Sequence, residues 1–208
     1  MTDFSIESTV VGPVMTNCYF MMNNDSGEMI VIDPGDDVGV LVQKIEKKGF
    51  APKAILLTHG HFDHITASND LRKRYGLPVY LHETEKKFLE SEGSNPFAGG
   101  GENDLLVDEY LEGEPILNIA GFSIRTIHTP GHTPGGVCYY FADEKTLFCG
   151  DTLFHGSIGR TDFPYGDTRD LLRSVKEKLF ILPEDTACYP GHDAKTTIGW
   201  EKKYNPFF

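Results

Sequence analysis

The stretch that most constrains this chain is Thr58 to His64, reading THGHFDH, which places three histidines and one aspartate between His59 and His64. Ala54-Ile55-Leu56-Leu57 before it is a short apolar run that reads as a buried strand. After it, apolar residues at 65, 67, 71 and 75 recur at helical spacing, so Ile65 to Tyr75 is expected to be a helix. The polar cluster therefore lies on a strand-to-helix turn. There Gly60 lets the backbone bend, and the side chains point off the end of a sheet rather than into a core. Neutral imidazoles and carboxylates packed this closely suit a hard-to-borderline divalent cation. The simpler alternative is a solvated polar turn, and the partners found downstream weigh against it.

Around this turn the pattern alternates between strands and single helices. Phe4 to Val11, Cys18 to Asn23 and Met29 to Ile32 are short and apolar, separated by Gly12-Pro13 and Asn24-Asp25-Ser26-Gly27. Asp33-Pro34-Gly35 ends the third of these. Val38 to Lys48 then carries Val38, Leu41, Val42 and Ile45 at helical spacing. Val79-Tyr80-Leu81 is expected to be a strand, and Glu83 to Glu92 a helix rich in Glu and Lys. Gly93 to Gly113 reads as a long surface loop, either a tolerated insertion or a binding loop or lid. The second half repeats the style, with strands at Ile116 to Ile119, Phe122 to Ile127, Gly136 to Phe141 and Thr146 to Cys149. A helix follows from Leu171 to Leu182, and then one more strand at Ala187-Cys188-Tyr189. This pattern by itself predicts one α/β domain with two packed sheets and helices outside.

Composition narrows the function. The 208 residues suffice for one domain with a proper core. A net charge of −12, with no Lys/Arg-rich run to offset it, disfavours a phosphate backbone, so no nucleic-acid partner is expected. No stretch approaches the ~18 apolar residues of a membrane span, so no membrane association is expected. The N-terminal residues show no basic region followed by an apolar run. Cys18, Cys138, Cys149 and Cys188 are far apart and form no CxxC pair, and they read as buried free thiols of a cytoplasmic protein.

Three further polar residues sit where strands end, each just after a glycine. His132 lies in Thr129-Pro130-Gly131-His132-Thr133-Pro134-Gly135-Gly136, Asp151 in Cys149-Gly150-Asp151-Thr152, and His192 in Tyr189-Pro190-Gly191-His192-Asp193. Singly, each motif is an ordinary turn. With THGHFDH they supply five histidines and two aspartates, enough for two metal sites with open positions.

The ordered set THGHFDH, TPGHTPGG, GDTLF and YPGHD resembles the metallo-β-lactamase fold superfamily, in its hydrolase and glyoxalase II-like branch, over nearly the whole chain. The resemblance implies an αββα sandwich, two packed mixed sheets with helices outside, spanning residues 1–208 as a single domain. It implies two divalent ions, zinc foremost with iron or manganese substituting. His59, His61 and His132 would hold the first ion, and Asp63, His64 and His192 the second, with Asp151 between them. Two such ions, two carboxylates and a bridging hydroxide leave about +1 at the centre, suited to an electron-rich substrate. The implied reaction is attack of that hydroxide on a carbonyl, with Asp63 orienting it as the catalytic carboxylate.

The GRTDFPYGD stretch and the closing NPF resemble the small glyoxalase II-like hydrolases. Hydrolysis of a thioester such as S-lactoylglutathione is therefore the first expectation, with related esters, lactones and β-lactams open as secondary substrates. Arg160 is expected either to bind a substrate carboxylate or to pair with Asp162 or Asp167. The alternative is an iron-dependent persulfide dioxygenase of the same fold, with one iron on the residues matching His59, His132 and Asp151. Asp33 is expected to orient backbone or ligand histidines, and His128 to be structural or to support a ligand. His155 either lines the cleft or is a solvated loop residue.

Overall fold

The computed structural model describes residues 2–92 and 105–208. Two six-stranded sheets stand face to face. The first runs β1 (Phe4–Val11), β2 (Thr16–Asn23), β3 (Glu28–Ile32), β4 (Ala51–Leu56), β5 (Val79–His82), β6 (Glu109–Leu111), in that spatial order. β1, β2 and β3 pair antiparallel, and β3 to β6 pair parallel. The second sheet has the order β14 (Thr196–Thr197), β13 (Ala187–Pro190), β10 (Thr146–Gly150), β9 (Val137–Phe141), β8 (Phe122–His128), β7 (Ile116–Ile119). Its one parallel pair is β10 with β13. A small hairpin, β11 (Leu153–Phe154) with β12 (Ser157–Ile158), follows β10.

Period-two alternation builds the layers. Tyr19, Met21, Ile30, Ile32 and Leu56 of the first sheet meet Phe122, Ile124, Tyr139, Phe141 and Phe148 of the second. The intervening residues Phe20, Met22, Met29, Val31 and Ile55 face outward. They pack against Leu41 and Ile45 of α1 (Val38–Lys48) and Leu71 of α3 (Ser68–Tyr75). On the far side, Cys138, Tyr140, Leu147, Cys149 and Cys188 pack against Leu171 of α5 (Thr168–Ser174) and Ile198 of α6 (Ile198–Tyr204). Strands buried on both faces read as continuous apolar runs, and helices cover the two outer faces, which is the αββα sandwich expected. Leu41 and Leu71 are fully buried, so truncating either to Ala costs about 2–5 kcal/mol. All four cysteines are buried free thiols. Among the described residues no helix is long and apolar enough to cross a membrane.

Several boundaries differ from expectation for identifiable reasons. Ile65 to Tyr75 is not one helix. α2 (Phe62–Ile65) begins earlier and α3 starts at Ser68, because the Ala67 amide donates to Pro34 O instead of continuing the helical ladder. Leu171 to Leu182 starts earlier as α5, passes into a π-helical turn at Val175–Leu179 and ends at Phe180. The loop expected over 93–113 contains β6, a three-residue edge strand, Glu109-Tyr110-Leu111, too short to show alternation. Residues 93–104, which carry the rest of that expected loop, lie outside the described residues. α4 (Glu85–Glu92) begins two residues later than expected. The β11–β12 hairpin, β14 and α6 have no counterpart in the pattern reading.

Candidate metal centre

Each polar motif occupies the end of a strand. His59 follows β4, His61 immediately precedes α2, and Asp63 and His64 lie within it. His132 is in the turn from β8 to β9, Asp151 follows β10, and His192 follows β13. One loop from the first sheet and three from the second thus meet at the rim of the sandwich.

All seven side chains come together. The His59 ring centroid is 4.8 Å from His61, 4.1 Å from His64 and 4.8 Å from His132. His61 Nδ1 and His132 Nε2 are 2.9 Å apart. Asp63 Oδ2 is 3.5 Å from His64 Nε2 and 3.3 Å from His192 Nε2. Asp151 lies between the groups, with Oδ1 3.4 Å from His64 Nε2 and Oδ2 3.5 Å from His132 Nε2 and 3.6 Å from His192 Nε2. Donor atoms able to hold a cation fall into three overlapping sets: His59, His61 and His132; His59, His64 and Asp151; and Asp63, His64 and His192.

The fit to metal can be judged from the hydrogen bonds. Thr58 has one hydroxyl hydrogen, and it goes to the Asp33 carboxylate at 2.6 Å, so Thr58 Oγ1 can only accept from His59 Nδ1 at 3.1 Å. His64 Nδ1 donates to Asp33 Oδ2 at 3.0 Å, and His132 Nδ1 donates to Arg160 O at 2.7 Å. In all three rings the outer nitrogen is committed and Nε2 faces the cluster. His59 Nε2, His64 Nε2 and Asp151 Oδ1 are buried with no hydrogen-bond partner, an expensive arrangement for a polar atom unless a cation takes the lone pairs. An imidazole and carboxylate donor set with these orphaned atoms fits a borderline divalent ion.

Electrostatics divides the cluster. Burial and the neighbouring His64, His132 and His61 rings hold His59 well below the ordinary histidine value. Burial, with His132 and His64, pushes His61 down to about 3. Burial also lowers His132, partly offset by Asp151. His64 goes the other way, because the Asp151 and Asp33 carboxylates more than offset its burial. His192 is likewise raised, since Asp63 and Asp151 outweigh burial. Asp63 is held well below the carboxylate range because His192, His64 and Thr16 together outweigh the opposing effect of burial.

Several supporting residues carried no clear signal in the sequence. Thr16 Oγ1 donates to Asp63 Oδ2 at 2.8 Å from the start of β2. Asn17 holds the His192 turn through Pro190 O at 3.1 Å and Asp193 O at 3.0 Å. Both stand some 47 or more residues from the groups they hold, so no local motif reveals them. Asp33 takes the orienting position expected of it, with backbone φ of 50° and the Thr58 amide on Oδ1 at 2.7 Å. His128 donates from Nε2 to Pro134 O at 2.9 Å in the turn after His132, a structural role. His155 stacks on Trp200 at 4.2 Å between centroids.

Arg160 presents a different geometry. Its guanidinium makes two hydrogen bonds to Asp162, at 3.0 and 2.9 Å, and lies over the Phe163 ring at 4.3 Å. Phe163 and Phe88 in turn flank His61, at 5.5 and 5.3 Å between centroids.

Comparison with known proteins agrees with this geometry. The family model described as the metallo-beta-lactamase superfamily matches residues 11–192. The chain is 42% identical to a probable metallo-hydrolase, YqgX, of Bacillus subtilis, over 95% of this chain and 94% of that one. It is 39% identical to the hydroxyacylglutathione hydrolase GloC of Haemophilus influenzae, over 98% and 97%. Among solved structures, the BLEG-1 B3 metallo-beta-lactamase superposes with a TM-score of 0.89 at 41% identity, covering 98% of this chain and 99% of that one. TTHA1623 in a di-iron-bound form superposes at 0.86 with 36% identity, covering 97% and 100%. The chain belongs to the metallo-beta-lactamase superfamily, a metal-binding hydrolase family.

Proposed function

We propose that this chain is a dinuclear metal-dependent hydrolase that cleaves a thioester of the S-lactoylglutathione type. The observation that carries the reading is the pair of donor sets flanking Asp151, with His59 Nε2, His64 Nε2 and Asp151 Oδ1 buried between them and making no hydrogen bond. His59, His61 and His132 would hold one ion, Asp63, His64 and His192 the other, and Asp151 would touch both. Zinc suits this donor set best, and iron or manganese can substitute. The di-iron form of TTHA1623 supports iron as an alternative occupant. When bound, two such ions supply an ionised water at neutral pH and a Lewis acid for the carbonyl oxygen.

The residues of the chain supply the rest. Asp63, anchored by Thr16, orients the attacking water. Water adds to the acyl carbon, the C–S bond breaks, and the thiolate leaves with a proton to give a free thiol and a carboxylic acid. Phe88 and Phe163 beside His61, with Tyr165 next to Phe88 at 6.2 Å, give the acyl group an apolar edge. Arg160 is exposed and can exchange Asp162 for a distal substrate carboxylate. The hydroxyacylglutathione hydrolase name of the Haemophilus relative supports the thioester, and the four buried unpaired thiols support a reducing, cytoplasmic setting.

The test joins elemental analysis with a thioester assay. Close to two metals per chain, and equal thiol release from a 2-hydroxyacyl thioester in the presence and absence of oxygen, are expected. One tightly bound metal would refute the dinuclear reading. Oxygen consumption with glutathione persulfide and no thiol release from the thioester would replace the hydrolase with a dioxygenase.

A further inference from the structure

We propose that Glu85 is a positioning residue for this centre: its buried carboxylate clamps the Gly60 turn, between His59 and His61, to the Gly135 turn that follows His132. The proposal rests on the reading of His59, His61 and His132 as a metal-holding set. Glu85 opens α4 and is fully buried. Its Oε2 accepts the Gly60 N–H at 2.8 Å, and its Oε1 accepts the Gly135 N–H at 2.6 Å. Among the described residues no cation pairs with it. A buried carboxylate without a counter-ion is costly and persists only where hydrogen bonds satisfy both oxygens. An apolar side chain in its place would leave the Gly60 and Gly135 amides without acceptors, so the carboxylate is explained by what it holds.

What it holds are two loops from different sheets. The turn bearing His59 and His61 leaves β4 of the first sheet, and the turn bearing His132 leaves β8 of the second. Glu85 lies 25 residues from Gly60 and 50 from Gly135. A hydrogen bond from Val137 N–H to Thr58 O, 2.8 Å, ties the loops on the strand side, and Glu85 ties them beyond the glycines. His128 fixes the neighbouring Pro134 carbonyl, so the turn after His132 is gripped at consecutive residues. The packing leaves no slack. A Cβ on Gly60 would lie 2.8 Å from Glu85 Oε2, and one on Gly135 would lie 2.7 Å from Glu85 Cγ. One turn further along α4, Phe88 packs edge-on against the His61 ring. The clamp therefore sets the 2.9 Å approach of His61 Nδ1 to His132 Nε2, the spacing that one ion must bridge. Both oxygens must accept, which a carboxylate does and a primary amide cannot.

The experiment compares wild type with Glu85→Gln, which keeps the shape but turns an NH2 toward one of the two amides. Full-length protein is titrated with Co2+ and with Zn2+ against a chelator, and the visible cobalt spectrum, kcat, KM and Tm are recorded. In E85Q the affinity of one ion is expected to fall at least tenfold while the other changes less than threefold. The cobalt bands of the weakened ion should shift, and kcat should fall with KM unchanged. Wild-type affinity for both ions with an unchanged cobalt spectrum would overturn the proposal, whatever the Tm, because a merely structural Glu85 would behave in that way. If the variant does not fold, amide exchange in the wild type decides. Slow exchange at both Gly60 and Gly135 supports the clamp, and exchange as fast as exposed loop amides overturns it. Failure of the parent reading looks different, since the wild type itself would then take up fewer than two ions or leave the thioester intact.

Discussion

Asp33→Asn is a demanding test of the site, because one atom-for-atom exchange reaches both proposed metal sets. Asp33 Oδ1 accepts from the Thr58 amide at 2.7 Å, and Oδ2 accepts from the Thr58 hydroxyl at 2.6 Å and from His64 Nδ1 at 3.0 Å. Asparagine can keep the first bond with its oxygen. Its NH2 then stands where Oδ2 was and faces two donors. Left unrelieved, losing two hydrogen bonds to a buried charged acceptor costs about 1.5–3 kcal/mol each, or about 3–6 kcal/mol together, an upper bound on the loss of stability. The cheapest relief is tautomeric. His64 Nδ1 becomes the acceptor, and its proton moves to Nε2, the atom that faces Asp63 and Asp151. The Thr58 hydroxyl, released from Asp33, turns to donate to His59 Nδ1, which drives the His59 proton to Nε2 as well. Losing an orienting partner costs about 10–100-fold in metal affinity at a ligand histidine. Urea denaturation of chelator-treated protein should show the loss of stability, and competition with a chromophoric chelator should show both ions weakened. Wild-type affinity for both ions, with stability changed by less than about 1 kcal/mol, would refute the tautomer argument.

Four further outcomes follow from the same geometry. Asp151→Ala should lower occupancy at both metal positions and abolish turnover, whereas Asp63→Ala should empty chiefly the second, as elemental analysis and activity would show; an active Asp151→Ala variant with both metals would remove Asp151 from its assigned place. Arg160→Ala should raise KM with kcat unchanged, because a distal carboxylate contact is the same in ground and transition states; an unchanged KM would remove the anion-binding role. Metals bind neutral imidazole, and His64 and His192 are raised while His59, His61 and His132 are lowered. Falling pH therefore protonates His64 and His192 first and empties the set they form with Asp63, so metal content should step from two to one before reaching zero, a single step being the contrary result. Gly191→Ala would drive a Cβ into Asp151 Oδ1 and against His64, so metal content should drop with the fold intact by circular dichroism.

Much of the sandwich was legible because its signals are local. Val38–Lys48 repeats its apolar residues with the helical period, ends at Gly49 and coincides with α1 at both boundaries. Phe4–Val11 and Ile116–Ile119 are strands at the residues expected. The chemistry-bearing motifs were legible too, since each combines a glycine turn with an imidazole or carboxylate within a few residues. Elements whose extent depends on distant partners were not. Ile65–Tyr75 carries a good helical pattern, yet a carbonyl from Pro34, more than thirty residues away in the chain, claims the Ala67 amide and splits it. β6 is a strand only because β5 offers it an edge. α6 is short, and the buried Glu201 that anchors it is satisfied by the Thr196 hydroxyl, Asn205 and the Gly156 amide rather than by any helical periodicity.

The same division runs through the centre. The sequence by itself singled out the candidate ligands: His59, His61, Asp63, His64, His132, Asp151 and His192 announce themselves by type, by the glycines beside them and by their places at strand ends. Only the tertiary structure decided which nitrogen each imidazole presents, because a tautomer is set by its outer hydrogen-bond partner. Those partners, Asp33 through Thr58 and the Arg160 carbonyl, come from elsewhere in the chain. Tertiary structure also decided that Glu85, one glutamate in a run rich in Glu and Lys, is buried between the Gly60 and Gly135 turns while its neighbours Glu83 and Lys86 are exposed. A hydrogen bond across 25 or 50 residues leaves no periodicity behind, so its two ends become visible only when the fold brings them within three ångströms.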